Sequence, residues 1–273
     1  MANHEDNPLT HLGFQRFAPS KGLAAYIQCY WFIRSEQHTI NSSEYLHPDG
    51  GISITFNYGD KLKFDHGLDV GDITFDGANT TTRALHLNGH VDTVGIRFLP
   101  AGARAFLTMP LNEFKGELVS ITDTPLTGYD ELYQNLADES ANTTKVALIE
   151  AWLSQVINPQ QNELPLINAA LQILEQNQGA IGISTLAAKL AVNQRRLERL
   201  FNDQVGLTAK EYARNIRIKQ ARFYLKQHSN ISLADVAYNL GFFDQAHFSK
   251  QFKYVVGISP KAYATKSKAV AKS

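Results

Sequence analysis

Leu186-Ala187-Ala188-Lys189-Leu190-Ala191-Val192 is echoed downstream by Val236-Ala237-Tyr238-Asn239-Leu240-Gly241-Phe242. Leu197, Phe201, Val205, Gly206, Leu207, Thr208 and Tyr212 are then echoed by Phe248, Phe252, Val256, Gly257, Ile258, Ser259 and Tyr263. The offset is about 50 residues, with one residue gained between the halves. Each half reads as a short helix, a tight turn and a second helix, so the stretch predicts two helix-turn-helix units in one domain.

In the first unit, a helix from Ser184 to Leu190 turns at Ala191-Val192-Asn193, and Asn193 caps a second helix over 194–204. Helical spacing turns Leu197, Leu200, Phe201 and Val205 inward, which leaves Gln194, Arg195, Glu198, Arg199 and Asn202 on the outer face. A long helix from Ala209 to Lys226 joins the halves, with Ile216, Ile218, Ala221 and Leu225 as its buried positions. Ser232-Leu233-Ala234-Asp235 is a capping box opening the second unit. Gly241 makes the turn and Asp244 caps the helix 244–255, which turns Phe248, Phe252, Val255 and Val256 inward. Its outer face holds Gln245, Ala246, His247, Lys250, Gln251 and Tyr254. The tail from Thr265 reads as disordered, its lysines adding phosphate attraction.

The charge divides along the same line. Residues 164–273 hold 16 Lys and Arg against 6 Asp and Glu; subtracted from 26 and 26, the first 163 residues hold 10 against 20. An acidic front half and a basic back half hide behind a net charge of zero. A basic domain points to a polyanion partner, although two oppositely charged surfaces can also simply attract each other. From charge alone a further expectation is that the acidic front half docks on the basic reader and holds it off DNA.

An α-helix fits the major groove of double-stranded DNA, and bases are read there by side chains with several donors or acceptors. Arg195 and Arg199 suit guanine, Gln194 and Gln245 suit adenine, and Glu198 can accept from cytosine. Arg196 lies to one side, toward phosphate. Ser249, Lys250, Lys253 and the main-chain amides at the start of the second helix suit the backbone. An arginine run alone is most often a solvated face; the duplication and the charge favour DNA. For His247, DNA contact and helix-end packing are equally open. Phe201 and Phe252 follow the inward spacing and are core.

The front half is β-rich. Tyr26 to Ile33 is an aromatic, β-branched run; Ile52, Ile54 and Phe56, then Leu62 and Phe64, Ile73 and Phe75, and Val94, Ile96 and Phe98 alternate with period two. Pro48-Asp49-Gly50-Gly51 is turn chemistry, and Asn88-Gly89 between Leu87 and His90 predicts a tight hairpin. Roughly seven strands make a sandwich or small barrel. From Ala101 the pattern becomes helical, with longer helices over Tyr129 to Ala137 and Thr144 to Ile157. The fold class is therefore α+β. A β-barrel, cupin-like domain (1–125) precedes a helical linker (126–163) and an all-α domain with two helix-turn-helix units (164–273). The linker either packs on the barrel or pairs with a second subunit, and a homodimer is expected.

Other chemistry is sparse. The single cysteine, Cys29, excludes an internal disulfide. It sits in a strand with no activating neighbour, so a reactive thiol is disfavoured. His86 and His90 bracket the hairpin and His47 lies near another turn, yet no third ligand is placed by spacing, so no metal is assigned. No Ser/His/Asp arrangement, phosphate-cradling glycine loop or carboxylate pair stands out, and no cofactor is assigned. Arg97 and Trp31 are the candidate ligand-binding residues: Arg97 points opposite to Ile96 and Phe98, into the barrel if those face helices. The plainer reading is a strand arginine paired with an aspartate. No run of 18 apolar residues exists and the N-terminus lacks a signal-peptide pattern, so the expectation is a cytoplasmic protein without membrane contact.

The run Ala237-Tyr238-Asn239-Leu240-Gly241-Phe242, then Phe248-Ser249-Lys250-Gln251-Phe252-Lys253 and Gly257-Ile258-Ser259-Pro260-Lys261-Ala262-Tyr263, resembles the AraC/XylS family of transcription regulators. The first unit is similar through Leu197, Phe201, Gly206, Tyr212, Arg217 and Ala221. The resemblance covers about 164–264 and implies a transcription regulator with RNA polymerase as a partner. It places Arg195, Glu198, Arg199, Gln245, Ala246, His247 and Lys250 toward bases or phosphates. Ala209 stands where proline is common and Asn193 where serine is usual, which leaves base preference open. Tyr30-Trp31, Pro48-Asp49-Gly50 and Gly95-Ile96-Arg97-Phe98-Leu99-Pro100-Ala101-Gly102-Ala103 resemble the β-rich domain that precedes this reader in a subset of the family.

Three readings follow. In the first, the front domain senses a small-molecule effector or a partner and controls the reader. In the second, the front is a cupin-type metal-dependent enzyme with a DNA-binding tail. In the third it binds no ligand and only mediates protein contacts.

Overall fold

The computed structural model describes residues 12–35, 40–65, 71–158, 164–227 and 231–270. The front half holds two antiparallel sheets. The larger runs β1 (Gln15–Phe17), β2 (Ile27–Arg34), β8 (Asp92–Phe98), β4 (Ser53–Asn57), β6 (Ile73–Asp76) and β9 (Leu118–Ser120) in that spatial order. The smaller is β3 (Ile40–Leu46), β7 (Arg83–Gly89) and β5 (Lys63–Phe64). Among the described residues no ladder joins the two sheets, so they do not close into a continuous barrel.

The period-two pattern sorts the larger sheet into two faces. Tyr30, Phe32, Ile54, Phe56, Phe75, Val94, Ile96 and Phe98 form one face, nearly all of it fully buried. That face packs on α1 (Tyr129–Asp138) and α2 (Asn142–Val156) through Leu132, Leu136, Ile149, Trp152 and Leu153. Tyr58 and Tyr133 stack at 4.6 Å, and each hydroxyl donates to a main-chain carbonyl, Tyr58 to Tyr133 and Tyr133 to Asn57. Residues 126–157 are thus a packed helical layer on the sheet.

The Asn88-Gly89 hairpin does not form. β7 pairs with β3 and β5, whereas β8 pairs with β2 and β4, so the chain crosses between sheets here. Asn88 lies opposite Asn41 inside a ladder. Gly89, at φ +86°, turns the chain toward Asp60, whose carboxylate accepts the His90 amide at 2.8 Å. Asn-Gly supplies positive φ for a tight turn; here the positive φ redirects a strand from one layer to the other.

The back half is helical: α3 (Leu164–Gln176), α4 (Ile183–Lys189), α5 (Gln194–Val205), α6 (Ala209–Gln227), α7 (Leu233–Asn239), α8 (Gln245–Val256) and α9 (Pro260–Val270). The tail expected to be disordered continues α9 as far as Val270. Its Lys266 lies 4.5 Å over the Tyr45 ring of the front half instead of standing free for phosphate.

Front and back are docked. Arg104 pairs with Asp203 at 3.2 Å, and Lys115 with Glu211 at 2.7 Å. Asn215 donates to the Asn79 carbonyl at 3.0 Å, and the Thr82 amide donates to the Val255 carbonyl at the end of α8 at 2.6 Å. Gly50 lies against the Tyr212 ring. One buried apolar cluster runs from the larger sheet through α3, α4, α5 and the first half of α6; the second unit has its own.

Candidate nucleic-acid interface

Both reading helices begin and end the same way. Asn193 accepts the Arg196 amide at 2.8 Å and Asp244 accepts the His247 amide at 2.6 Å, each satisfying a donor that a helix start leaves open. Gly206 and Gly257 close α5 and α8 in the left-handed region, at φ +80° and +88°. Between these ends, Leu197, Leu200, Phe201 and Val205 of α5, and Phe248, Phe252, Val255 and Val256 of α8, are buried.

The outer faces of both helices are exposed. Gln194, Arg195, Arg196, Glu198 and Arg199 are exposed along α5, and Gln245, Ala246, His247, Lys250 and Lys253 along α8; Ser249 is half-buried. A cleft of about 840 Å³ runs along α5, lined by Asn193, Arg195, Arg196, Glu198 and Arg199 and walled by Pro110 and Asn112 of the front half. The α5 face combines guanidinium donors with a carboxylate acceptor, which is base-reading chemistry. The α8 face has fewer charged side chains, Lys250 and Lys253, and no carboxylate.

His247 folds back on its own helix start. Its ring meets Phe242 edge-on at 5.8 Å, and Nδ1 accepts the Phe243 amide at 3.4 Å. Helix-end packing therefore holds this residue, and only Nε2 remains to face outward.

Not all the positive charge of the reader points outward. Arg214 lies 4.7 Å over Tyr254, Arg217 4.8 Å over Phe242, and Arg222 5.9 Å over Tyr263. Burial lowers the Arg217 pKa, with Arg214 adding to it. These three arginines fasten α6 to the second unit, a role that charge counting misses. His47 of the front half joins the same junction, bonded to Thr82 at 2.7 Å and edge-on to Tyr263 at 6.4 Å. Burial, then Arg222 and Lys226, pushes its pKa down to about 3.

The candidate ligand residues of the front share one face. Arg97 lies opposite Cys29 and Ser53, and Trp31 opposite Gly95, on the side of the larger sheet away from the helices. The Trp31 ring covers Gly95, where a side chain would collide with it. Arg97 is paired with Asp49 and donates to Ser53 at 2.9 Å, which matches the plainer reading of a strand arginine with an aspartate partner. Burial raises the Cys29 thiol pKa, so it stays protonated. Among the described residues no group of three or more His, Cys, Asp or Glu is placed to hold a metal, and no helix is long and apolar enough to cross a membrane.

Sequence reasoning missed two exposed aromatics on the second unit, Tyr238 at 85% and Phe243 at 91%. The one-residue gain in the repeat was the signal for the latter.

Residues 186–266 match a family described as a helix-turn-helix domain, and residues 15–120 match a domain family of unknown function, DUF6597. The Msm operon regulatory protein of Streptococcus mutans is 28% identical over 148 residues, 54% of this chain and 52% of its own length. The uncharacterised HTH-type transcriptional regulator YidL of Escherichia coli K12 is 36% identical over 105 residues, 38% of this chain and 34% of its own. The matches thus span about half or less of these relatives. A solved AraC-type transcriptional regulator from Chromobacterium violaceum is 27% identical, with a TM-score of 0.35, covering 38% of this chain and 92% of its own. With its repeated helices and paired caps, the chain carries a helix-turn-helix domain over residues 186–266.

Proposed function

We propose that this chain is a sequence-specific transcription regulator whose helices α5 and α8 enter two successive major grooves on one side of double-stranded DNA. The carrying observation is the pair of capped, outward-facing reading helices on a domain with 16 basic against 6 acidic residues. Successive major grooves on one side of the duplex lie one helical turn, roughly 34 Å, apart. Gln194, Arg195, Glu198 and Arg199 read bases in the first groove, and Arg196 holds phosphate. Gln245, Ala246 and the free edge of His247 face the second groove, and Ser249, Lys250 and Lys253 hold its backbone. The setting is the cytoplasm, with RNA polymerase as the downstream partner and a homodimer as the working form.

The front domain controls the reader. In one version a small anionic effector enters beside Trp31 and draws Arg97 from Asp49. A second version, with no ligand, is favoured by the internal satisfaction of Arg97 by Asp49 and Ser53. There the front acts through its docking on α5, α6 and α8 alone. Footprinting of the full chain on genomic DNA at moderate salt tests the central reading. Protected stretches one helical turn apart are expected, and none at any concentration would overturn it.

A further inference from the structure

We propose that Phe243 is a base-reading residue whose exposed ring, together with the exposed Ala246 methyl, contacts thymine C5-methyl groups in the groove entered by α8. This rests on the reading of α8 as a DNA-reading helix, and the experiment below separates the two.

The repeat itself locates the residue. Ala187, Leu190, Ala191 and Val192 align with Ala237, Leu240, Gly241 and Phe242 at an offset of 50. The helix caps, Asn193 and Asp244, align at 51. Phe243 is therefore the residue that the second unit has gained. A turn that needs one more residue is ordinarily filled by Gly, Asn, Asp or Ser. Here it is filled by a phenylalanine that is 91% exposed, next to Phe242 at 6%. Phe242 packs on Phe248 at 5.2 Å and under Arg217 at 4.8 Å, and so does the work of the core. The Phe243 ring adds nothing to the fold. Single surface apolar residues are common, but Tyr238, on the preceding helix of the same unit, is also bare at 85%.

Position supplies the partner. In helix-turn-helix proteins the residues at the N-terminus of the reading helix lie nearest the base edges. Phe243 immediately precedes the cap of α8, and the residues after the cap, Gln245 and Ala246, are exposed and uncharged. Rings and methyls meet the thymine methyl, and a glutamine amide fits the adenine edge. The second unit thus presents chemistry for A·T pairs. The first, with Arg195, Arg199 and Glu198, presents chemistry for G·C pairs.

The test begins with duplexes selected from a randomised pool by the full chain, the α8 half being identified by footprinting. Thymines in that half are then replaced by deoxyuridine, which removes only the C5-methyl. The wild type is expected to lose about fourfold in affinity for each contacted methyl. Phe243→Ala is expected to lose a similar factor on the thymine duplex and almost nothing further on the deoxyuridine duplex. As Phe243 is exposed, this variant keeps its fold, and thermal unfolding verifies it. Equal losses for both proteins on deoxyuridine, or an α8 half lacking thymine, would overturn the proposal. So would wild-type DNA binding by Phe243→Ala with loss of transcription in a reconstituted system, which would assign the ring to a protein contact. If no duplex is selected at all, the DNA-binding reading fails first, and this proposal with it.

Discussion

The first helix-turn-helix unit shares its core with the β domain; the second is built around a core of its own. Leu186, Leu197, Phe201, Tyr212 and Ile216 belong to the buried cluster that reaches the larger sheet. Ile218, Val236, Phe248 and Phe252 form a separate one. The division falls within α6, between Ile216 and Ile218. What ties the second unit to the front half is polar or stacked: the Thr82 amide on Val255, His47 edge-on to Tyr263, and Lys266 over Tyr45. The units therefore differ in how they can respond. The first shares its packing with the front domain, so the two are expected to move together. The second can be released by breaking a few contacts that a front-domain event reaches directly.

The largest test of that difference is a cavity in each core. Phe201 and Phe248 are both fully buried, and Phe→Ala in a core costs about 3–5 kcal/mol. Phe201→Ala is expected to lower the stability of the sheet and the first unit together. Phe248→Ala is expected to melt the second unit alone, with amide protection of β2, β4 and β8 kept. Hydrogen exchange separates these outcomes, and loss of sheet protection in Phe248→Ala would break the two-core division.

On DNA, the comparison turns to the faces. Arg199→Ala is expected to cost about 1–3 kcal/mol on a selected site and to relax choice at one base pair. Lys253→Ala should weaken all sequences alike and reduce the salt slope by about one. Titrations on selected and random duplexes read both. Equal losses on random DNA would mean that α5 holds the backbone and reads nothing.

The junction with the second unit should also respond to acid. His47 is held neutral, its pKa pushed down to about 3 by burial, then by Arg222 and Lys226. Released from the junction it takes a proton near 6.5. Docked stability is thus full above pH 6.5 and falls by about 1.4 kcal/mol per pH unit on acidification toward about 3. Protease sensitivity at the end of α9, compared at pH 7 and 5.5, reads it. His47→Phe should flatten the response, and an unchanged slope in that variant would place the titration elsewhere.

Much of the reader was legible because its signals are local. Caps, turn glycines and helical spacing act within a few residues, and they placed Asn193, Asp244, Leu197 and Phe252 correctly. The strands were legible from alternation, but their partners were not. Asn88-Gly89 has the local chemistry of a hairpin, and only the packing of two layers decides that the chain crosses instead. Docking was the least legible feature. The charge split suggests an acidic front held by a basic reader. Both ion pairs described between the halves run the other way, with Arg104 and Lys115 of the front holding Asp203 and Glu211 of the reader. Net charge sums over a surface, whereas docking is decided at a few contacts and by the apolar cluster beneath them.

The smallest test uses the one backbone position where the repeats make different choices for the same geometry. The turn residues Ala191 and Gly241 align, and both are left-handed, at φ +53° and +68°. In that region an L side chain costs about 1–2 kcal/mol, and a glycine costs about 0.5–1 kcal/mol more than alanine in unfolded-chain entropy. Ala191→Gly should therefore stabilise the first unit slightly, by about 0.5–1 kcal/mol. The reverse change, Gly241→Ala, meets a second obstacle. Its Cβ would come within 3.1 Å of the Ala180 Cβ, where the second unit abuts the α3–α4 loop that leads into the first. It should cost more than the first change gains, and part of that cost should vanish in the background Ala180→Gly. Denaturant midpoints of the three variants and the double variant decide the matter. Additivity of Gly241→Ala and Ala180→Gly would show that the strain lies in the turn alone, and that the second unit does not press on that loop.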